Sequence, residues 1–124
     1  MDELVERLAS EIGIDRDVAA KAVTIILAFL LKEGPADKVK TLLVSIPGAE
    51  AAIAANQGAS GGFNLGSLLG GGIMAVGSQL MAAGLSMGEV QSVAQTLLAY
   101  GREKAGEDIV GEIVGEIPGL SQFA

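Results

Sequence analysis

The residues of this chain best placed by type and spacing to do chemistry are carboxylates. Asp108, Glu112 and Glu116 recur every four positions, with Glu107 beside the first. On a helix that spacing puts all three on one face, and a set of oxygen ligands suits a hard divalent cation such as Ca²⁺ or Mg²⁺. The opposite face would carry Ile109, Ile113 and Ile117, and no loop of the kind that wraps a cation accompanies the carboxylates. A charged stripe opposite an apolar one is by default a solvated face, so no metal site is expected. Acid–base catalysis fares no better, because raising a carboxylate pKa towards neutrality needs burial, which a solvated face does not provide.

Other chemistry is scarcer. The chain has no His and no Cys, which removes the commonest general base together with the imidazole and thiolate metal ligands. Ser78 and Ser86 are nucleophiles by type but have no His to activate them, and no lysine stands at a recognisable Ser–Lys spacing. The glycine-rich run from Gly58 to Gly62 has no Gly-Lys-Ser/Thr behind it and no strand-like stretch ahead of it, so it is not a phosphate cradle. Neither catalytic residues nor a cofactor site is expected. A formal net charge of −7 further argues against nucleic acid, whose phosphates require a basic patch, and against an anionic membrane surface.

What remains is architecture. Only Phe29, Phe63, Tyr100 and Phe123 are aromatic in 124 residues, half of which are apolar, so the core is built from Ala, Leu, Ile and Val. That composition favours close helix packing over a sheet. Asp2 is positioned to cap a first helix, whose face Leu4, Val5, Leu8, Ala9 and Ile12 ends at Gly13. Asp15 is positioned to cap a second, from about Arg16 to Glu33, with the stripe Ala19, Ala22, Val23, Ile26, Leu27 and Leu30 and a stop at Gly34-Pro35. A third helix buries Val39, Leu42, Leu43 and Ile46 before Pro47-Gly48, and a short alanine-rich helix follows from Ala49 to Asn56. Between Glu50 and Glu89 no residue is charged and ten of the 18 glycines occur, among them the 57–62 hinge and the Gly70-Gly71-Gly72 triplet, which should weaken or kink its helix. Ser86 and Glu89 spell a capping box. The helix behind it presents Val90, Val93, Ala94, Leu97 and Leu98 and fades at Gly106, and a last one presents Ile109, Val110, Ile113, Val114 and Ile117 before Pro118-Gly119.

These elements repeat. Residues 13–48 align without a gap on 84–119, so that Gly13 meets Gly84, Asp15 meets Ser86, and Ile46-Pro47-Gly48 meets Ile117-Pro118-Gly119, with the apolar stripes in register. The expected fold is therefore all-α. It is one small helical bundle of two duplicated three-helix units, 2–48 and 73–119, joined by a Gly/Ala-rich connection, 49–72, and related by a pseudo-two-fold axis. Ile26, Leu27, Leu42, Ile46, Leu97, Leu98, Ile113 and Ile117 form the expected core.

The small residues carry the remaining functional signal. Gly66 and Gly70 (with Gly62) stand four apart, as do Gly111, Gly115 and Gly119. Such a ridge lets another helix approach closely, which points to Gly66 and Gly70 as a packing or self-association face. A membrane span over 65–85 is disfavoured, since few of those residues are strongly hydrophobic and the nearest charges, Glu50 and Glu89, are acidic. The opening Met1-Asp2-Glu3-Leu4 lacks the basic and apolar regions of a secretory signal, which makes the cytoplasm the default location.

The segments Leu8-Ala9-Ser10-Glu11-Ile12-Gly13-Ile14, Ile46-Pro47-Gly48-Ala49, Gly66-Ser67-Leu68-Leu69-Gly70 and Ala83-Gly84-Leu85-Ser86 together resemble a family of small bacterial proteins known only as a domain of unknown function of the Vcg type. The resemblance spans nearly the whole chain. It implies an all-helical fold and a bacterial source, with a leader peptide in many members, and it transfers no catalytic or binding residue. The sequence thus reads as a non-enzymatic helical interaction or assembly domain that pairs with itself as a homodimer. The alternatives are a carrier holding a small apolar ligand inside the bundle, or a membrane-associated protein using the glycine-rich centre.

Overall fold

The computed structural model describes residues 2–51 and 76–117, and all regular structure among them is helical. Five helices are complete: α1 (Asp2–Ile12), α2 (Arg16–Glu33), α3 (Ala36–Ser45), α4 (Met87–Ala105) and α5 (Glu107–Glu116). Residues 49–51 and 76–82 are helical as well. The glycine triplet, the 57–62 hinge and most of the alanine-rich helix lie outside the described residues.

Local chemistry places the ends where the sequence puts them. Gly13 takes φ 83° and donates its N–H to the Ala9 carbonyl at 3.0 Å, a left-handed stop that a Cβ would strain. Gly84 does the same job for 76–82 at φ 113°. There Leu85 donates to Leu80 at 3.2 Å and Gly84 to Met81 at 3.1 Å, the paired bonds of a Schellman motif, with Leu80 and Leu85 both buried. The Ser86–Glu89 box is formed in both directions: Ser86 N–H donates to Glu89 Oε1 at 2.8 Å and Glu89 N–H to Ser86 Oγ at 3.3 Å. Asp15 differs from expectation. It occupies the N-cap of α2, but its side chain makes no cap hydrogen bond, leaving only its charge to favour the helix N-terminus. Asp2 is already helical, so it opens α1 from within.

Packing departs further from a one-stripe reading. In α2 every residue from Ala22 to Leu30 is buried, so Thr24, Ile25, Ala28 and Phe29 lie inside along with the expected stripe. Thr24 is accommodated by donating its hydroxyl to the Ala20 carbonyl at 2.8 Å. A helix apolar on all sides must be surrounded, and α1, α3 and α4 all pack against α2. Helix α3 lies on α5 and α4, and α1 on α4. All eight residues expected in the core are buried.

Two glycines mark the closest approaches. A Cβ on Gly101 would stand 2.8 Å from Leu42 Cδ1 and 3.2 Å from Val110 Cγ2, so α4 sits against α3 and α5 with no space for a methyl. Gly34 is extended, at φ −90° and ψ 177°, as a residue before proline should be. A Cβ there would meet the Leu30 carbonyl oxygen at 2.7 Å.

Candidate functional site

Gly66 and Gly70, the self-association residues expected from the sequence, lie outside the described residues. The second small-residue ridge can be placed. Gly111 and Gly115 are exposed on α5, and a Cβ on either would meet nothing within 4 Å. Among the described residues no helix packs on that ridge, and the intimate contacts fall at Gly101 and Gly34 instead.

The carboxylate stripe is an exposed face with a structural partner. Asp108, Glu112 and Glu116 are exposed, and Glu112 Oε2 pairs with Lys38 Nζ of α3 at 2.8 Å. That hydrogen bond, with the Coulombic attraction of the same carboxylate, raises the Lys38 pKa above its ordinary 10.5. The stripe therefore ties α5 to α3. Among the described residues no group of three or more Asp or Glu side chains is arranged to hold a metal ion. Ser86 is occupied by its cap, and Ser78 is exposed on the 76–82 helical stretch.

A cluster the sequence reading passed over joins α1 to α4. Arg7 Nη1 donates to Glu103 Oε2 at 3.0 Å, and Lys104 Nζ lies 4.0 Å from Glu3 Oε2. Both cations stand over the buried Tyr100 ring, Arg7 Cζ at 5.4 Å from its centroid and Lys104 Nζ at 5.5 Å. The hydrogen bond to Glu103 raises the Arg7 pKa further above its already basic ordinary value. Each cation is attracted by the negative face of the ring. The signal available in the sequence was the pair of four-residue steps, Glu3 to Arg7 and Tyr100 to Lys104, each aligning its side chains along one helix face. Which helix would face which was not available.

Neither a family model, nor a curated protein, nor a solved structure matches the chain. The functional reading therefore rests on the surface. Among the described residues the large hydrophobic side chains left exposed are Val44 (71 %), Met81 (50 %) and Met87 (71 %). The two methionines flank one turn, and the stretch 76–88 around them carries no charge. Along α4 the exposed face continues as Gln91 and Gln95, one and two turns beyond Met87 and also uncharged. Glu89, the acidic residue at this corner, has its carboxylate held by the Ser86 cap. Among the described residues no helix is long and apolar enough to cross a membrane.

Proposed function

We infer that this chain is a non-enzymatic assembly domain, a duplicated pair of three-helix units that associates with a second copy of itself. Duplication draws support from helix limits: α3 (Ala36–Ser45) and α5 (Glu107–Glu116) open and close seventy-one positions apart, and α2 and α4 open at Arg16 and Met87, the same interval. The residues that end the last helix of each unit agree too, Ile46 at φ −105°, ψ 104° and Ile117 at φ −106°, ψ 111°, and both are buried. Helix α3 packs on its counterpart α5, and α2 on its counterpart α4, although the packing of α3 on α4 has no equivalent of similar extent between α5 and α2. The units also differ. Ala20, Thr24 and Ala28 of α2 are buried or partly buried, while the matching Gln91, Gln95 and Ala99 of α4 are exposed, so α2 is the inner helix and α4 an outer one.

The observation that carries assembly is the exposure of Met81 and Met87 on the uncharged stretch 76–88. The charged side chains of Arg7, Glu103, Lys38 and Glu112 join helix to helix within the chain, which is scaffolding. Exposed methionines are adaptable apolar contacts of the kind found on association surfaces. Light scattering across micromolar to millimolar concentration tests the reading. A mass rising from 12.5 kDa towards twice that value is expected, and a constant single-chain mass overturns it.

A further inference from the structure

Resting on that reading, we propose that the contact surface is the corner formed by the end of the 76–82 helical stretch and the first turns of α4, and that its occupant is the same corner of a second copy. Its centre is Met81 and Met87, with Ala82, Gly88, Gln91 and Gln95 around them, all exposed.

Two corners of the chain share one backbone design. Gly13 and Gly84, both at positive φ, turn the chain from one helix into the next at positions that match in the two units. Around Gly13 the surface is charged: Glu11, Asp15, Arg16 and Asp17 are exposed, and Arg16 pairs with Glu6 at 3.2 Å. The residues at the matching positions after Gly84 and before it are Ala82, Ser86, Met87 and Gly88. The turn needs no particular surface to form, since glycine and the cap supply its geometry. Two large apolar side chains in solvent at only one of the two corners therefore point to a partner that covers that corner.

Electrostatics selects the occupant. In a two-fold contact each patch meets its own copy. Two chains of net charge −7 repel wherever acidic faces meet, so a self-contact must be neutral or self-complementary. This corner carries a single carboxylate, Glu89, tied into the Ser86 cap, and is otherwise uncharged. Its glutamines are self-complementary as well, because an amide carries both donors and an acceptor and can bond the same amide of another copy. A basic partner would be drawn to the acidic faces, and an anionic surface would be repelled by the whole chain. The patch is small beside the roughly 800 Å² per partner of a standard interface, so the dimer is weak and forms with rising concentration.

The test uses the full chain. Sedimentation of the wild type is expected to move from one chain to two between micromolar and millimolar concentration, and M81E/M87E is expected to stay at one chain with an unchanged melting temperature. Met87→Glu adds a carboxylate at the first turn of α4, where the helix dipole favours it, so folding is preserved. Met87→Cys supplies the one thiol in a chain without cysteine, and mild oxidation of it at high concentration should give a covalent dimer. A wild-type dimer that survives M81E/M87E, or that dissociates with Val44→Glu instead, overturns this surface and leaves self-association standing. A wild type that stays at one chain overturns both. Flotation of single chains with neutral phosphatidylcholine vesicles, lost in M81E/M87E, would make the occupant a bilayer and also overturn the proposal.

Discussion

Gly101 is the position where a single methyl tests the packing most directly. Replacing it by alanine has two opposed effects. Within a helix, alanine is favoured over glycine by about 0.5–1 kcal/mol. Against that, the new Cβ would lie 2.8 Å from Leu42 Cδ1 and 3.2 Å from Val110 Cγ2, and forcing a methyl into a filled core costs about 1–3 kcal/mol. Gly101→Ala should therefore fall between neutral and about 2 kcal/mol destabilising. Gly111→Ala is the control, since its Cβ meets nothing within 4 Å on an exposed helix face, and it should stabilise by about 0.5–1 kcal/mol. The gap between the two variants, about 1–3 kcal/mol, isolates the contact from the propensity. Leu42→Ala removes the side chain in the way, so Gly101→Ala in that background should regain its helical advantage, giving a coupling of about 1–3 kcal/mol in a double-mutant cycle. Urea unfolding of the four proteins at one low concentration measures this. Equal stabilisation by Gly101→Ala and Gly111→Ala, with no coupling to Leu42, would refute the placement of α4 against α3.

Leu98 is buried in α4, and Leu98→Ala should lose about 2–5 kcal/mol in chemical denaturation; a loss under about 0.5 kcal/mol would put this face in solvent. Ser86→Ala breaks the Ser86 half of the capping box and should lower stability by about 1 kcal/mol, with the earliest change in amide exchange at the start of α4. The Lys38 pKa lies above 10.5 in the folded protein, chiefly through its hydrogen bond to Glu112. The pair's contribution is thus complete below the unfolded pKa and disappears as pH rises through the higher folded one. A lysine Nζ titration by NMR should show Lys38 holding its proton above its ordinary range, and Glu112→Gln should bring it back. An unshifted wild-type Lys38 would remove the α3–α5 ion pair.

Helix limits were legible in the sequence because the signals that set them are local. The positive-φ glycines at 13 and 84 and the Ser86–Glu89 box act within a few residues of themselves, so their types and spacing suffice. The spacing of α2–α3 and α4–α5 could be read for the same reason. At Asp15 the helix starts as expected, but without the side-chain cap hydrogen bond that the residue type suggests. Burial depends on neighbours. One stripe was visible in α2, yet the whole run from Ala22 to Leu30 is inside because three other helices meet it. The signal was the lack of any charge in that run, which shows that a helix can be enclosed but not by what. Likewise Gly101 and Gly111 look alike in sequence, both glycines within helical segments. Only tertiary structure puts Leu42 and Val110 against the first and open space beside the second. Tyr100 is the same case: beside Lys104 of its own helix, its ring meets Arg7 of α1, brought to it across 93 positions of chain. Local chemistry determines where each helix begins and ends, whereas the burial of a face and the partner of a charge follow from which helices pack together.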